Sequence, residues 1–144
     1  MDTIQSLFAI TEDELMNLIE QTKIRHYNLP VVEIDGDAWA FALTDEEADQ
    51  AACDYIEQAV WAFNSDFLQD MTGIPQEMFE AVQDKCEGAN DAITACIKAT
   101  CGMESFRDNA INADGRGHFI SGYDGQEVEF EKEDGSFGYA YRID

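Results

Sequence analysis

Basic side chains are scarce in this sequence. Eight Lys and Arg stand against thirty-one Asp and Glu, a formal net charge of -23. Such a chain is a poor ligand for DNA, RNA or an anionic membrane, because phosphate binding needs the opposite sign. Cysteine and histidine are scarce too, four and two in number. The four cysteines, Cys53, Cys86, Cys96 and Cys101, have no Cys-x-x-Cys spacing and no histidine cluster beside them, so a structural zinc site is not expected. An EF-hand starting at Asp114 fails because its twelfth position is Gly125. Phosphate-binding and dinucleotide glycine patterns are missing as well. No apolar run approaches the ~20 residues that span a bilayer, and the opening Met-Asp-Thr-Ile-Gln has no basic stretch of the kind that starts a secretory signal. These absences lead us to expect a cytoplasmic protein with reduced thiols, no cofactor and no bound metal.

What is present is a core. Apolar residues make up 45% of the chain and aromatics 11%, which separates it from acidic disordered sequences. Its length fits one domain over residues 1–144. The acids are not gathered in a tail. Residues 1–50 hold twelve acids against two bases, residues 51–100 nine against two, and residues 101–144 ten against four. One reading is acidity that serves solubility, as in a high-salt organism, although nine Phe and two Trp fit that poorly. The other is that the acids imitate nucleic-acid phosphates and occupy a basic groove on another protein.

The pattern along the chain predicts an α+β fold. Thr11-Glu12-Asp13-Glu14 is a capping box, in which the Thr11 hydroxyl and the Glu14 carboxylate satisfy each other's backbone amides. It opens a helix near 12–24, and His26 to Pro30 reads as a connector. Val31-Val32-Glu33-Ile34 and Ala38 to Leu43 flank Asp35-Gly36-Asp37 as an N-terminal hairpin. Thr44-Asp45-Glu46-Glu47 repeats the capping box and begins a long central helix of about 45–71, whose apolar stripe is Ala48, Ala52, Tyr55, Ile56, Ala59, Phe63 and Phe67. Helices near 75–87, 90–100 and 103–112 follow, the second with Asn90 as its cap, punctuated by Gly73, Gly88 and Gly102. Strict alternation over 126–131 and 137–143 predicts a C-terminal hairpin turning at 132–136.

The densest chemistry lies in Asp114-Gly115-Arg116-Gly117-His118-Phe119-Ile120-Ser121-Gly122-Tyr123-Asp124-Gly125. Asp114, His118 and Asp124 have the residue types of an acid/base or metal-binding group, since histidine titrates near neutrality and carboxylates orient it. The competing reading is a glycine-punctuated loop whose polar groups serve the backbone, with Arg116 paired to an acid and Tyr123 without an assigned role. No nucleophile has an activating neighbour, so no catalytic residue is assigned.

The acids at helix starts, Glu46 and Glu47 among them, have a local reason in the helix dipole. Asp35 and Asp37 in the hairpin turn have none. Nor do Glu127, Glu129 and Glu131, three like charges on one strand face that need solvent or a basic partner. Asp54, Glu57 and Trp61 fall on the side of the central helix away from its apolar stripe, and Trp61 is a residue type that often anchors interfaces.

The segments Trp61 to Leu68, Lys85 to Asn90, Asp114 to Ser121 with Tyr123-Asp124-Gly125, and the closing Tyr141-Arg142-Ile143 resemble a family of small proteins carried by bacteriophages and related mobile elements. The likeness runs over roughly residues 38–144 and carries no catalytic residue across. It implies a phage accessory protein inside a bacterial host. In charge and size, though not in motif, the chain is similar to the acidic phage inhibitors of restriction and CRISPR systems. The expectation is a non-enzymatic inhibitor that binds a basic, nucleic-acid-binding surface of a host defence complex. Asp35, Asp37, Glu46, Glu47, Asp54, Glu57, Trp61, Glu127, Glu129 and Glu131 would be its contacts. A small enzyme or metal-binding protein using the 114–125 loop, or an acidic phage structural module, remain the alternatives.

Overall fold

The computed structural model describes Met1–Asp144 and has eight α-helices, two short 3-10 turns and a five-stranded antiparallel sheet, an α+β fold. No helix is long and apolar enough to cross a membrane. The chain, read above as one domain, groups into two compact units: Met1–Ala52 with Asp114–Asp144, and Cys53–Ala113.

The first unit is built on the sheet. Helix α1 (Ile4–Phe8) begins at a Thr3–Ser6 capping box that the sequence pattern did not mark. Helix α2 (Glu12–Gln21) opens on the Thr11–Glu14 box as expected, the Glu14 amide donating to Thr11 Oγ1 at 3.1 Å. It stops short of residue 24 because Thr22 turns extended and gives its hydroxyl to Val31 O at 2.7 Å. Residues read as a connector form a further strand, β1 (Arg25–His26), joined to β2 (Leu29–Ile34) by a turn with Tyr27 and Asn28 both at positive φ. The Asp35-Gly36 turn, also at positive φ in both residues, leads into β3 (Asp37–Ala42) as the sequence predicts. Strands β4 (Val128–Glu131) and β5 (Phe137–Arg142) form the C-terminal hairpin. The two hairpins are not separate: β3 pairs with β5, giving the order β1-β2-β3-β5-β4.

One sheet face carries Val32, Ile34, Phe41, Phe130 and Ala140 against Ile4, Phe8 and Leu15 of the first two helices. Phe8 stands edge-on to both Trp39 and Phe41, with centroids 5.0 and 5.4 Å away. The opposite face holds Ala40, Ala42, Tyr139 and Tyr141, paired across β3 and β5 and buried.

The central helix predicted over 45–71 is broken. Helix α3 (Asp45–Gln58) gives way to a 3-10 turn at Val60–Ala62, and α4 (Ser65–Thr72) restarts behind Asn64, whose side chain caps it. No Gly or Pro lies between 45 and 72, so the cause is tertiary. In an uninterrupted helix the Trp61 amide would donate to Glu57 O four residues back. Here the side-chain amide of Asn90 stands between them. Asn90 Oδ1 accepts from Trp61 N at 3.2 Å, while Nδ2 donates to Glu57 O at 3.0 Å. Gln83 Nε2 takes up two more carbonyls, Trp61 O at 3.1 Å and Phe63 O at 2.7 Å. Periodicity along one segment carries no trace of two amides arriving from other segments.

The rest of the second unit is helical: α5 (Gln76–Gln83), a 3-10 turn at Cys86–Ala89, α6 (Asn90–Ala99) and α7 (Met103–Asp114), whose last residue belongs to the first unit. Phe63, Phe67 and Phe106 form its aromatic centre at 5.1–5.8 Å centroid spacing. Gly88 lies inside the second 3-10 turn instead of stopping α5, and Asn90 is spent on the break instead of capping α6.

Candidate functional site

The glycine-histidine motif folds as a short helix, α8 (Arg116–Ile120), not as an open loop. Gly115 at φ 84 turns the chain into it. Gly117 permits its closest approach, since a Cβ there would lie 2.6–2.8 Å from the backbone of Gly125, Gln126 and Glu127. Phe119 and Ile120 are buried.

Arg116 is the centre of the arrangement. Its side chain is only 13% exposed. Nε donates to Glu127 Oε1 at 2.8 Å, and Nη1 reaches Asp49 Oδ1 at 3.0 Å and Asp45 Oδ1 at 3.2 Å. The guanidinium also lies over the Tyr139 ring, 4.5 Å from its centroid. The Tyr141 hydroxyl donates to the same Glu127 oxygen, and Tyr139 bonds the Asp45 carboxylate.

These contacts shift the titration of Arg116, Asp45, Tyr139 and Tyr141. Burial would weaken the Arg116 proton, but the bond to Glu127 and the neighbouring negative charge outweigh it, so the guanidinium is held more firmly protonated than usual. The bond from Tyr139, opposed by burial and helped by Arg116, holds the Asp45 carboxyl below its ordinary range. Burial first, then the bond to Glu127, pushes the Tyr141 phenol far up. Burial and Asp45 raise Tyr139 likewise. A firmly protonated guanidinium, an Asp45 carboxyl below its ordinary range and two phenols above theirs make a clamp, not an acid–base pair that exchanges protons near neutrality.

Of the proposed acid/base trio only Asp124 makes side-chain hydrogen bonds, and to neither of the other two. His118 is exposed and edge-on to Phe119 at 5.0 Å. Asp114 is exposed at the end of α7. Asp124 Oδ1 accepts from Gln126 N at 3.0 Å and lies 3.0 Å from the Ser121 hydroxyl, which also reaches Arg142 O at 2.7 Å, so it closes a turn. Tyr123 is 56% exposed, with the Arg142 guanidinium 3.7 Å over its ring. Nowhere do three or more His, Cys, Asp or Glu side chains group as metal ligands.

The predicted contact acids divide. In the first unit Asp37 pairs with Arg142 at 2.9 Å and Glu127 with Arg116. Glu47 hydrogen-bonds Thr44 in its capping box. Asp35, Glu46 and Glu129 are exposed, and Glu131 is half-buried where β4 bridges Thr3. In the second unit Glu57 pairs with Arg107 at 3.0 Å, while Asp54 and Trp61 are half-buried. Sequence reading missed the parts of Asp45, Asp49, Tyr139 and Tyr141. One signal was present: the two alternating strands, once paired, place Glu127 in line with Tyr141.

No family model matches the chain, and neither the curated proteins nor the solved structures include one similar to it.

Proposed function

We propose that this protein is a phage-encoded, non-enzymatic inhibitor that occupies a basic nucleic-acid-binding surface of a bacterial defence complex, of the anti-restriction or anti-CRISPR kind. One observation carries the reading: four of the eight bases are tied to carboxylates or backbone, and too few remain on the surface to screen the acids. Arg107, Arg116 and Arg142 are engaged in ion pairs with side chains 13–26% exposed. Lys132 gives its amine to Leu43 O at 2.6 Å. Only Lys23, Arg25, Lys85 and Lys98 remain on the surface against the bulk of thirty-one acids. A field of that sign steers the molecule to cationic grooves and mimics the one property that all nucleic acids share.

Acids held by an internal arginine are poor candidates for contact. The interface therefore draws on the acids outside the ion pairs, Asp35, Glu46 and Glu129 first among the predicted set. The test is capture of a partner from a bacterial lysate on immobilised protein, followed by release with salt and with duplex DNA. An interface with several phosphate-like contacts weakens by orders of magnitude between roughly 50 and 200 mM salt. DNA should compete, and a triple Asp35→Lys, Glu46→Lys, Glu129→Lys variant should capture less. A partner held at high salt and indifferent to DNA rejects the reading.

A further inference from the structure

The break at residues 57–64 of the second unit carries an inference that does not depend on the inhibitor reading. We propose that this junction is a two-state element, in which the Asn90 side chain is a removable wedge in a helix that the local sequence would otherwise continue. Withdrawal of Asn90 lets Trp61 N bond Glu57 O directly and joins α3 to α4 through one continuous helix.

Four observations support it. The stretch 45–72 has no Gly or Pro, and its apolar stripe keeps helical phase across the break. Asn90 offers one acceptor and one donor to the two groups that an α-helix would pair with each other. Gln83 Nε2 holds Trp61 O and Phe63 O, whose partners in a continuous helix would be the amides of Ser65 and Phe67. The bonds made at the break thus have intrahelical replacements, and the amides of Asn90 and Gln83 are free to turn to water. Glu57, whose carbonyl is wedged, also ion-pairs with Arg107, and the Nε of Arg107 is a buried donor without a partner. The carboxylate next to the break thus sits beside a buried donor that the ground state leaves unpaired.

The broken form is the ground state because it buries Val60 completely and packs Phe63 and Phe67 on Phe106. The continuous form turns Trp61 and repositions Glu57. A partner that binds it better shifts the population by its differential affinity.

The experiment is relaxation dispersion on the amides of residues 57–64 in the wild-type protein, with Asn90→Leu and Ala59→Gly alongside. A minor state is expected whose Cα shifts at 59–64 are helical and match the main state of Asn90→Leu. Ala59→Gly penalises the continuous helix, where residue 59 is interior, and should lower the minor population about five-fold. A flat wild-type profile overturns the proposal whatever the variants do, and so does a minor state with non-helical shifts or one indifferent to Ala59→Gly. If Asn90→Leu does not fold, the wild-type shifts and the Ala59→Gly response decide alone.

Discussion

Arg116 donates to Glu127 at 2.8 Å across eleven residues of chain, and that bond ties helix α8 to the start of strand β4. The same guanidinium reaches Asp45 and Asp49 in the first turns of α3. The motif that looked most like chemistry is thus the fastener of the first unit.

Arg116→Ala should leave Glu127, Asp45 and Asp49 repelling one another without a counter-ion. We expect a loss of about 2–3 kcal/mol, the range for hydrogen bonds to charged groups, with Asp45 and Asp49 adding little because solvent screens them. Arg116→Lys keeps the charge but not the forked geometry, and should recover less than half. Urea unfolding midpoints at constant slope measure both. A Lys variant as stable as wild type would show that charge alone is enough.

Tyrosine burial predicts alkaline weakness. Tyr141 and Tyr139 have folded pKa values raised above the ordinary 10.0. The folded state therefore keeps phenol protons that the unfolded chain releases, and their contribution is fully present below pH ~10 and lost above it. Each phenol held protonated lowers stability by about 1.4 kcal/mol per pH unit there. Tyr141→Phe should be weaker by about 1 kcal/mol at neutral pH, through the lost bond to Glu127, yet show a shallower fall above pH 10. Unfolding midpoints with tyrosinate absorbance across that range check the crossover. Parallel curves for the two proteins refute it.

Gly117→Ala places a methyl within 2.6–2.8 Å of rigid backbone at Gly125, Gln126 and Glu127. Helix α8 must lift away, and the Arg116 clamp with it, so a loss of roughly 2–3 kcal/mol is expected. Gly88→Ala is the control. Its Cβ meets only Lys85 Cβ at 3.7 Å and its φ is not in the left-handed region, so it should be neutral or stabilising by up to ~1 kcal/mol. Thermal unfolding of the pair separates a close-approach glycine from a replaceable one.

The contrast between Gly117 and Asn90 shows where sequence reading stops. The Thr11 and Thr44 capping boxes, the Asp-Gly turn and the two predicted hairpins are local, set by neighbours within a few residues, and were legible, whereas the Thr3–Ser6 box and the short strand β1 were not. The fusion of the hairpins through β3 and β5 was not, because alternation marks a strand but not its partner. Asn90 read as a cap since it precedes an apolar run; it serves Glu57 and Trp61 because the chain folds back there. For the site, the motif was visible but its role was not. Arg116 and His118 sit two apart, and only the tertiary placement of Asp45, Asp49 and Glu127 decides that the arginine is the one engaged.

Salt should act on stability and on binding with opposite signs. A chain at -23 repels itself, and the five ion pairs that salt would weaken draw on only three arginines. The Debye length shrinks from ~10 Å at 0.1 M to ~3 Å at 1 M, so relief of repulsion among the acids should exceed the loss at Arg107, Arg116 and Arg142. If 1–2 kcal/mol of repulsion is relieved, the midpoint should rise by roughly 2–8 °C over that interval for a chain of this size. Calorimetry in sodium chloride measures it, and a falling midpoint would mean that the arginine clamps, not the acid surface, dominate the electrostatics. The opposite signs also protect the functional test. Once that rise is measured, a partner released at high salt has lost its electrostatic attraction and not its folded target.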